Sequence, residues 1–260
     1  MTDQPSDQKA PEPRDSGWAV PVSKIKVENV PFGATNINVE GLQPVSALQG
    51  FGALWQKTYK IRLVGVDIPP AQVMRVWKEN FPKFQPPENR FYPPMTGIKP
   101  GEVLFIEGKV PPIPGMPSIM PVSSGVRVIY VDDESFTIMT PEGFPESGWN
   151  TFSTYDEDGV TVAQIQSMAR AADPLYELFF RFLGSSEQQE KTWQHVLTSL
   201  AAHFDVKGQV TMYKTCVDPR LQWSEAKNVW KNAAARTVFY KMAAPLRWVR
   251  NSARRSPEKH

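Results

Sequence analysis

Cysteine is almost missing from this chain. Cys216 stands alone, so no internal disulfide can form, and nothing points to an oxidising compartment. Histidine is nearly as scarce: His195, His203 and His260 are the only three, and no Cys/His spacing suits a metal. The sequence holds no G-x-S-x-G, P-loop, G-x-G-x-x-G or H-E-x-x-H pattern, which removes the common signatures of acyl transfer, phosphate and dinucleotide binding and zinc hydrolysis. No apolar run approaches the roughly 20 residues that span a bilayer. The first residues, MTDQPSDQKAPEPRDSG, lack the apolar core of a secretory signal. Together these absences predict a cytoplasmic protein without metal or cofactor, leaning away from enzymes, with peripheral membrane contact left open.

Net charge is also small, +2 over 260 residues, but it is unevenly spread. Residues 205–260 hold 12 Lys+Arg against 4 Asp+Glu, while residues 1–204 hold 17 against 23. An acidic body with a basic tail suggests a tail that meets an anionic surface, or a solvated helix face. No nucleic-acid motif accompanies the basic cluster, so no nucleic-acid partner is expected. The chain is expected to divide into a disordered N-terminus (1–20), an extension (21–54), a central domain (55–204) and a basic amphipathic helical tail (205–260).

What the chain does have is alternation. In QKTYKIRLVGVD the apolar Tyr59, Ile61 and Leu63 recur with the period of a half-buried strand. Pro69 and Pro70 then open a helix carrying Val73, Val76, Trp77 and Phe81, which Pro82 ends. Eleven prolines between Pro82 and Pro121 exclude a long helix there and leave one strand, Glu102–Val110. The loop after it carries Ile113, Met116, Ile119 and Met120, as a pocket cap, a membrane contact or plain packing. Three closely spaced strand segments and a closing strand follow from Val126, with DDES and DEDG as turn signals, and form an antiparallel meander. In the closing strand Gln164 and Gln166 prefer water, which turns the small-residue face Thr161, Ala163, Ile165 and Ser167 inward.

Asp173 and Pro174 begin a helical segment whose apolar arc includes Leu175, Phe179, Phe182, Trp193, Val196, Leu200 and Phe204. Gly184-Ser185-Ser186 offers a break. Without it, Ser186 and Gln189 are polar groups facing the sheet; with it, they are caps. TMYKTCVDP reads as a connector, and Trp223 to Pro245 as a second amphipathic helix. The expected fold is therefore α+β: a curved antiparallel sheet wrapped around a long helix, plus a C-terminal helical extension. A cavity between sheet and helix is the natural consequence.

A strand, a helix and a meander closed by a long helix resemble the helix-grip (START-like, SRPBCC) superfamily of lipid-transfer domains, plant ligand-binding allergens and polyketide cyclases. The stretch Pro141–Pro174 resembles an uncharacterised family within it, matching at Gly143, Pro145, Glu146, Gly148, Phe152, Asp158, Gly159, Ala169 and Arg170. The resemblance covers roughly residues 57–204. It implies a hydrophobic ligand cavity and no particular substrate. Phe144 stands where that family usually has histidine, so no acid/base role carries over.

The residues expected to line the cavity are Tyr130, Phe144, Trp149, Phe152, Ile165, Ser167, Phe179, Phe182 and Trp193. Polar candidates are Glu142 and Glu146 on the connector, Arg127 and Arg170 for an anionic head group, and His203 near the pocket mouth. The leading expectation is binding or carriage of a small hydrophobic or lipid-like molecule, with an anionic membrane surface as a partner through residues 222–255. The alternatives are a cyclase- or hydrolase-type enzyme using the same cavity, and an interaction protein that docks through its C-terminal helix.

Overall fold

The computed structural model describes residues 17–110 and 120–243. Eight strands form one antiparallel sheet: β1 (Leu54–Arg62), β2 (Arg90–Tyr92), β3 (Val103–Val110), β4 (Met120–Val131), β5 (Ser135–Met139), β6 (Glu146–Glu157), β7 (Val160–Ala171) and β8 (Thr211–Asp218). Their order is β2-β3-β4-β5-β6-β7-β1-β8. Four α-helices accompany them: α1 (Pro70–Asn80), α2 (Pro174–Phe182), α3 (Ser185–His203) and α4 (Ala233–Met242). The sheet grips α1 and α3 on one face, and this is the α+β helix-grip fold.

The alternation of β1 has the expected result: Tyr59, Ile61 and Leu63 are buried and point at the helices. On β7 the face Ala163, Ile165 and Ser167 is buried, while Gln164 and Gln166 stay half-exposed on the other. The centre of the gripped face is filled by aromatic rings. Phe152 stacks on Phe136 at 4.5 Å and meets Trp77, Phe81 and Trp193 edge-on at 5.3–5.7 Å. Such offset and edge-on contacts satisfy the ring quadrupoles and leave no void.

Gly184 does break the helical segment. Its φ of +72° is a left-handed conformation that favours glycine, and it separates α2 from α3. Asp173 caps α2 by accepting from the Tyr176 N–H at 2.9 Å. The stretch expected as a connector is strand β8, paired with β1 along Leu54–Lys60. Almost every β8 side chain is exposed, so no apolar alternation announces it. The predicted second helix comes in two parts, a 3₁₀ segment over Trp223–Lys231 and then α4, with Asn232 at φ −50°, ψ 117° between them.

The start of α4 docks on the domain. Asn232 donates to Asp173 at 2.8 Å, the Ala234 N–H donates to the Tyr176 hydroxyl at 3.1 Å, and the Ala233 N–H donates to the Gly143 carbonyl. Gly143 is needed here: a Cβ would lie 1.9 Å from the Lys231 carbonyl oxygen. Part of the segment 17–53 covers the outer face of β3 and β4, where Ile25 and Val39 pack with Val103 and Phe105. Among the described residues no helix is long and apolar enough to cross a membrane.

Candidate functional site

Two cavities adjoin where α2 and α3 cross the gripped face. The aromatic cluster around Phe152 excludes space from the sheet centre, so both lie towards the Gly184 break. The first, about 610 Å³, is polar. β1, β6, β7, β8, α2 and α3 line it with Lys57, Glu146, Ser167, Arg170, Glu177, Arg181, Phe182, Ser186, Gln189, Glu190 and Lys214. The second, about 200 Å³, is apolar. Phe91, Ile106, Val126, Ile138, Phe144, Phe179 and Trp193 supply much of its apolar wall, with Asn89, Ser124, Asn150, Ser185, Gln188 and Thr192 among them. Glu146, Gln189 and Phe180 line both and form the partition.

Lys57 organises the polar side. It lies on the same strand face as Tyr59 and Ile61, so it too points inward, and it is 5% exposed. A buried ammonium needs partners for its donors. It finds Gln189 Oε1 at 2.9 Å, Ser186 Oγ at 3.1 Å and Glu190 Oε1 at 3.1 Å, all on the first turns of α3. Lys214 reaches the same Glu190 oxygen at 3.0 Å from β8. Burial pushes the Glu190 carboxyl up, but hydrogen bonds from Lys214 and Lys57 overcome it and hold the group below the usual carboxylate range. The Gln189 amide nitrogen completes the chain by donating to Glu146. The structure thus combines both sequence alternatives: the helix breaks at Gly184, and Ser186 and Gln189 still face the sheet.

Glu146 behaves oppositely. Desolvation raises its pKa, only partly offset by the Lys57 charge and the Gln189 hydrogen bond. Among the described residues it is the only acidic one lining the apolar cavity, and no lysine, arginine or histidine joins it there. Three residues of this wall each carry a fully buried side-chain polar atom with no hydrogen-bond partner among the described residues: Asn150 Oδ1, Ser185 Oγ and Trp193 Nε1, none of them exposed to the cavity.

The structure distributes the sequence-predicted residues as follows. Phe144, Phe179 and Trp193 line the apolar cavity, and Ser167 and Phe182 the polar one. Phe152 and Ile165 are on the gripped face but are consumed by the packed core. Tyr130 lies against Trp18 of the N-terminal extension, 4.7 Å between rings, and Trp149 alternates with inward Asn150, so neither reaches a cavity. Glu142 is paired with Lys231, and Arg127 donates to the Val20 carbonyl outside the gripped face. Arg170 is buried beside the polar cavity and pairs with Asp218 at 3.4 Å. His203 is exposed and lies edge-on to Phe84. Ile113, Met116 and Ile119 lie outside the described residues, as does the tail beyond residue 243.

Sequence reasoning did not propose Lys57, Asn150, Ser185 or Glu190. Alternation gave a usable signal for two of them: Lys57 keeps phase with Tyr59, and Asn150 with Phe152. No group of three or more His, Cys, Asp or Glu that could hold a metal occurs among the described residues.

No family model matches the chain, and no curated protein does. Among solved structures it is similar to protein Ms6760 from Mycobacterium smegmatis, at 14% identity and a TM-score of 0.40 over 58% of this chain and 90% of that one. It is similar to Ara h 8.0201 at 12% identity and a TM-score of 0.38, over 58% and 97%. Protein NE0264 from Nitrosomonas europaea matches at 13% and 0.39, over 58% and 94%. Likenesses this distant add nothing to what the chain's own geometry shows.

Proposed function

We propose that this protein binds a small apolar molecule in the cavity between β3–β6 and α2–α3, as a START-like member of the helix-grip superfamily. One observation carries the reading. In a body whose centre is close-packed, a wall rich in aromatic and aliphatic side chains leaves a partly open pocket of about 200 Å³. An apolar concavity left unfilled forgoes dispersion contacts and apolar burial that an occupant would supply. Burial of ligand surface at about 25 cal/mol per Å² supplies the driving force. The motif from Gly143 to Arg170 supports the superfamily assignment: Gly143, Glu146 and Phe152 serve tail docking, the cavity partition and the core. An enzymatic reading is less well supported, since Glu146 has no second acid or base beside it in the apolar cavity.

Native mass spectrometry of the gently purified protein should show one small apolar molecule bound per chain. Ile106→Trp, which fills the cavity from β3, should remove it. If no bound molecule is recovered and naphthalene produces no heat on titration, the reading fails.

A second reading concerns the tail. Trp230, Phe239 and Met242 are 70–88% exposed. Arg236 and Lys241 share α4, and Arg247, Trp248, Arg250, Arg254 and Arg255 follow in sequence. Aromatic and cationic side chains in this mixture suit an anionic membrane surface. Co-sedimentation with phosphatidylserine vesicles should exceed that with neutral vesicles and fall in Phe239→Ser/Met242→Ser. Equal binding to both vesicle types would overturn it.

A further inference from the structure

We propose that strand β8 is a docking edge for a second copy of this chain, and that two β8 strands pair antiparallel about Tyr213 and join the two sheets into one. This lies outside the ligand reading and does not depend on it.

The backbone comes first. The Leu63 N–H donates to the Thr161 carbonyl at 2.9 Å, in register with the β1–β7 pairing. Along an antiparallel strand, successive residues direct their backbone groups to one side and then the other. Lys57 and Tyr59 therefore bond to β7, and Thr58 and Lys60 turn towards β8, where they face Tyr213 and Thr211. It follows that Met212, Lys214 and Cys216 direct their N–H and C=O groups away from β1. Among the described residues β8 pairs with no strand but β1. The opposite edge of the sheet, β2, is blunted by being three residues long, whereas β8 has eight and no proline.

The side chains select the partner. The outer row of β8 reads Thr211, Tyr213, Thr215, the same in either direction, and all three are exposed, Tyr213 by 64%. A twofold interface needs a patch that complements itself. Antiparallel pairing centred on Tyr213 sets the two Tyr213 rings opposite each other and each Thr211 opposite a Thr215, pairs of the kind that stabilise sheets. On the inner row each Met212 meets a Lys214, and these two carry the outward backbone groups that then bond. Centring the pairing on Lys214 instead opposes two ammonium groups. Centring it further along carries it across the bulge that follows Cys216. A pairing this short buries less than the roughly 1,200–2,000 Å² of a stable interface, so the dimer is reversible.

In sedimentation velocity the full chain should pass from monomer to dimer as its concentration rises. Tyr213→Lys places like charges about 5 Å apart across the axis and should weaken the dimer about tenfold or more. A circular dichroism melt checks that this variant folds. Mild oxidation then reads the register. Tyr213→Cys/Cys216→Ser brings its two thiols face to face and should yield a covalent dimer. Thr211→Cys/Cys216→Ser holds them roughly 13 Å apart and should cross-link at least about tenfold more slowly. A monomer at every concentration overturns the proposal, and is the result expected if the chain's own tail or another protein's peptide occupies the edge. A dimer that Tyr213→Lys leaves intact overturns it too, as does cross-linking no faster at position 213 than at 211.

Discussion

The two cavities differ in a way that reverses their apparent importance. The polar one is three times larger, yet most of its charges answer one another. Lys57 and Lys214 share Glu190, Arg181 pairs with Glu177, and Gln189 bridges Lys57 to Glu146. The apolar one is small, and rings and aliphatic side chains make up much of its wall. Volume alone does not rank the two: an apolar wall gains when an apolar occupant covers it, whereas charges already paired gain little from one. On this comparison the polar cavity is a cross-brace that fixes α3 against β1 and β8, and the apolar one is the better candidate for the ligand proposed above.

The brace can be broken most forcefully at Lys57. Lys57 and Lys214 approach the same oxygen of Glu190 at nearly the same distance, 3.1 and 3.0 Å, but their side chains are 7% and 36% exposed. Distance therefore predicts equal effects and burial predicts unequal ones. Lys57→Met leaves Gln189 and Ser186 without their donor and Glu190 with one cation, and should cost about 3 kcal/mol of unfolding free energy. Lys214→Ala, at the wetter end of the same contact, should cost less than about 1 kcal/mol. Urea unfolding of both variants checks the ratio. Equal losses would mean that the polar cavity is solvated throughout and braces nothing.

The fold was largely legible because its signals are local. Tyr59, Ile61 and Leu63 alternate, DEDG turns the last hairpin, Asp173-Pro174 starts a helix, and Gly184 ends it. Strand β8 was not legible. It is an edge strand exposed on both faces, held by backbone pairing to β1, and backbone pairing leaves no mark on side-chain pattern. The site was legible only in part. Phe144, Phe179 and Trp193 have apolar character and the right phase. Phe152 and Ile165 have both as well, but lie in the packed core. Whether an inward apolar residue borders a void depends on what the opposite elements insert, and here Trp77 and Phe81 fill the middle from α1 and the turn after it. Lys57 keeps the phase of the inward face, but its charge argues against that reading. A single lysine in an amphipathic strand normally marks the solvent face, and only its three partners on α3 explain its place inside.

Glu146, which lines both cavities, provides the smaller and finer test. Its raised pKa means that the folded protein binds this proton more tightly than the unfolded chain does. Stability from this group is therefore fully present below the ordinary glutamate range and is lost as pH rises through the raised folded value. Glu146→Gln removes the titration while keeping an oxygen to accept from Gln189. Thermal melts of the variant should show an advantage over the native protein around pH 7 that vanishes below about pH 4, the ordinary glutamate range. Glu190 titrates in both proteins and cancels from the difference. The opposite result, a variant less stable at neutral pH, would mean that attraction to Lys57 outweighs desolvation at Glu146. The carboxyl would then belong to the polar brace, and the boundary between the two cavities would move to the far side of its side chain.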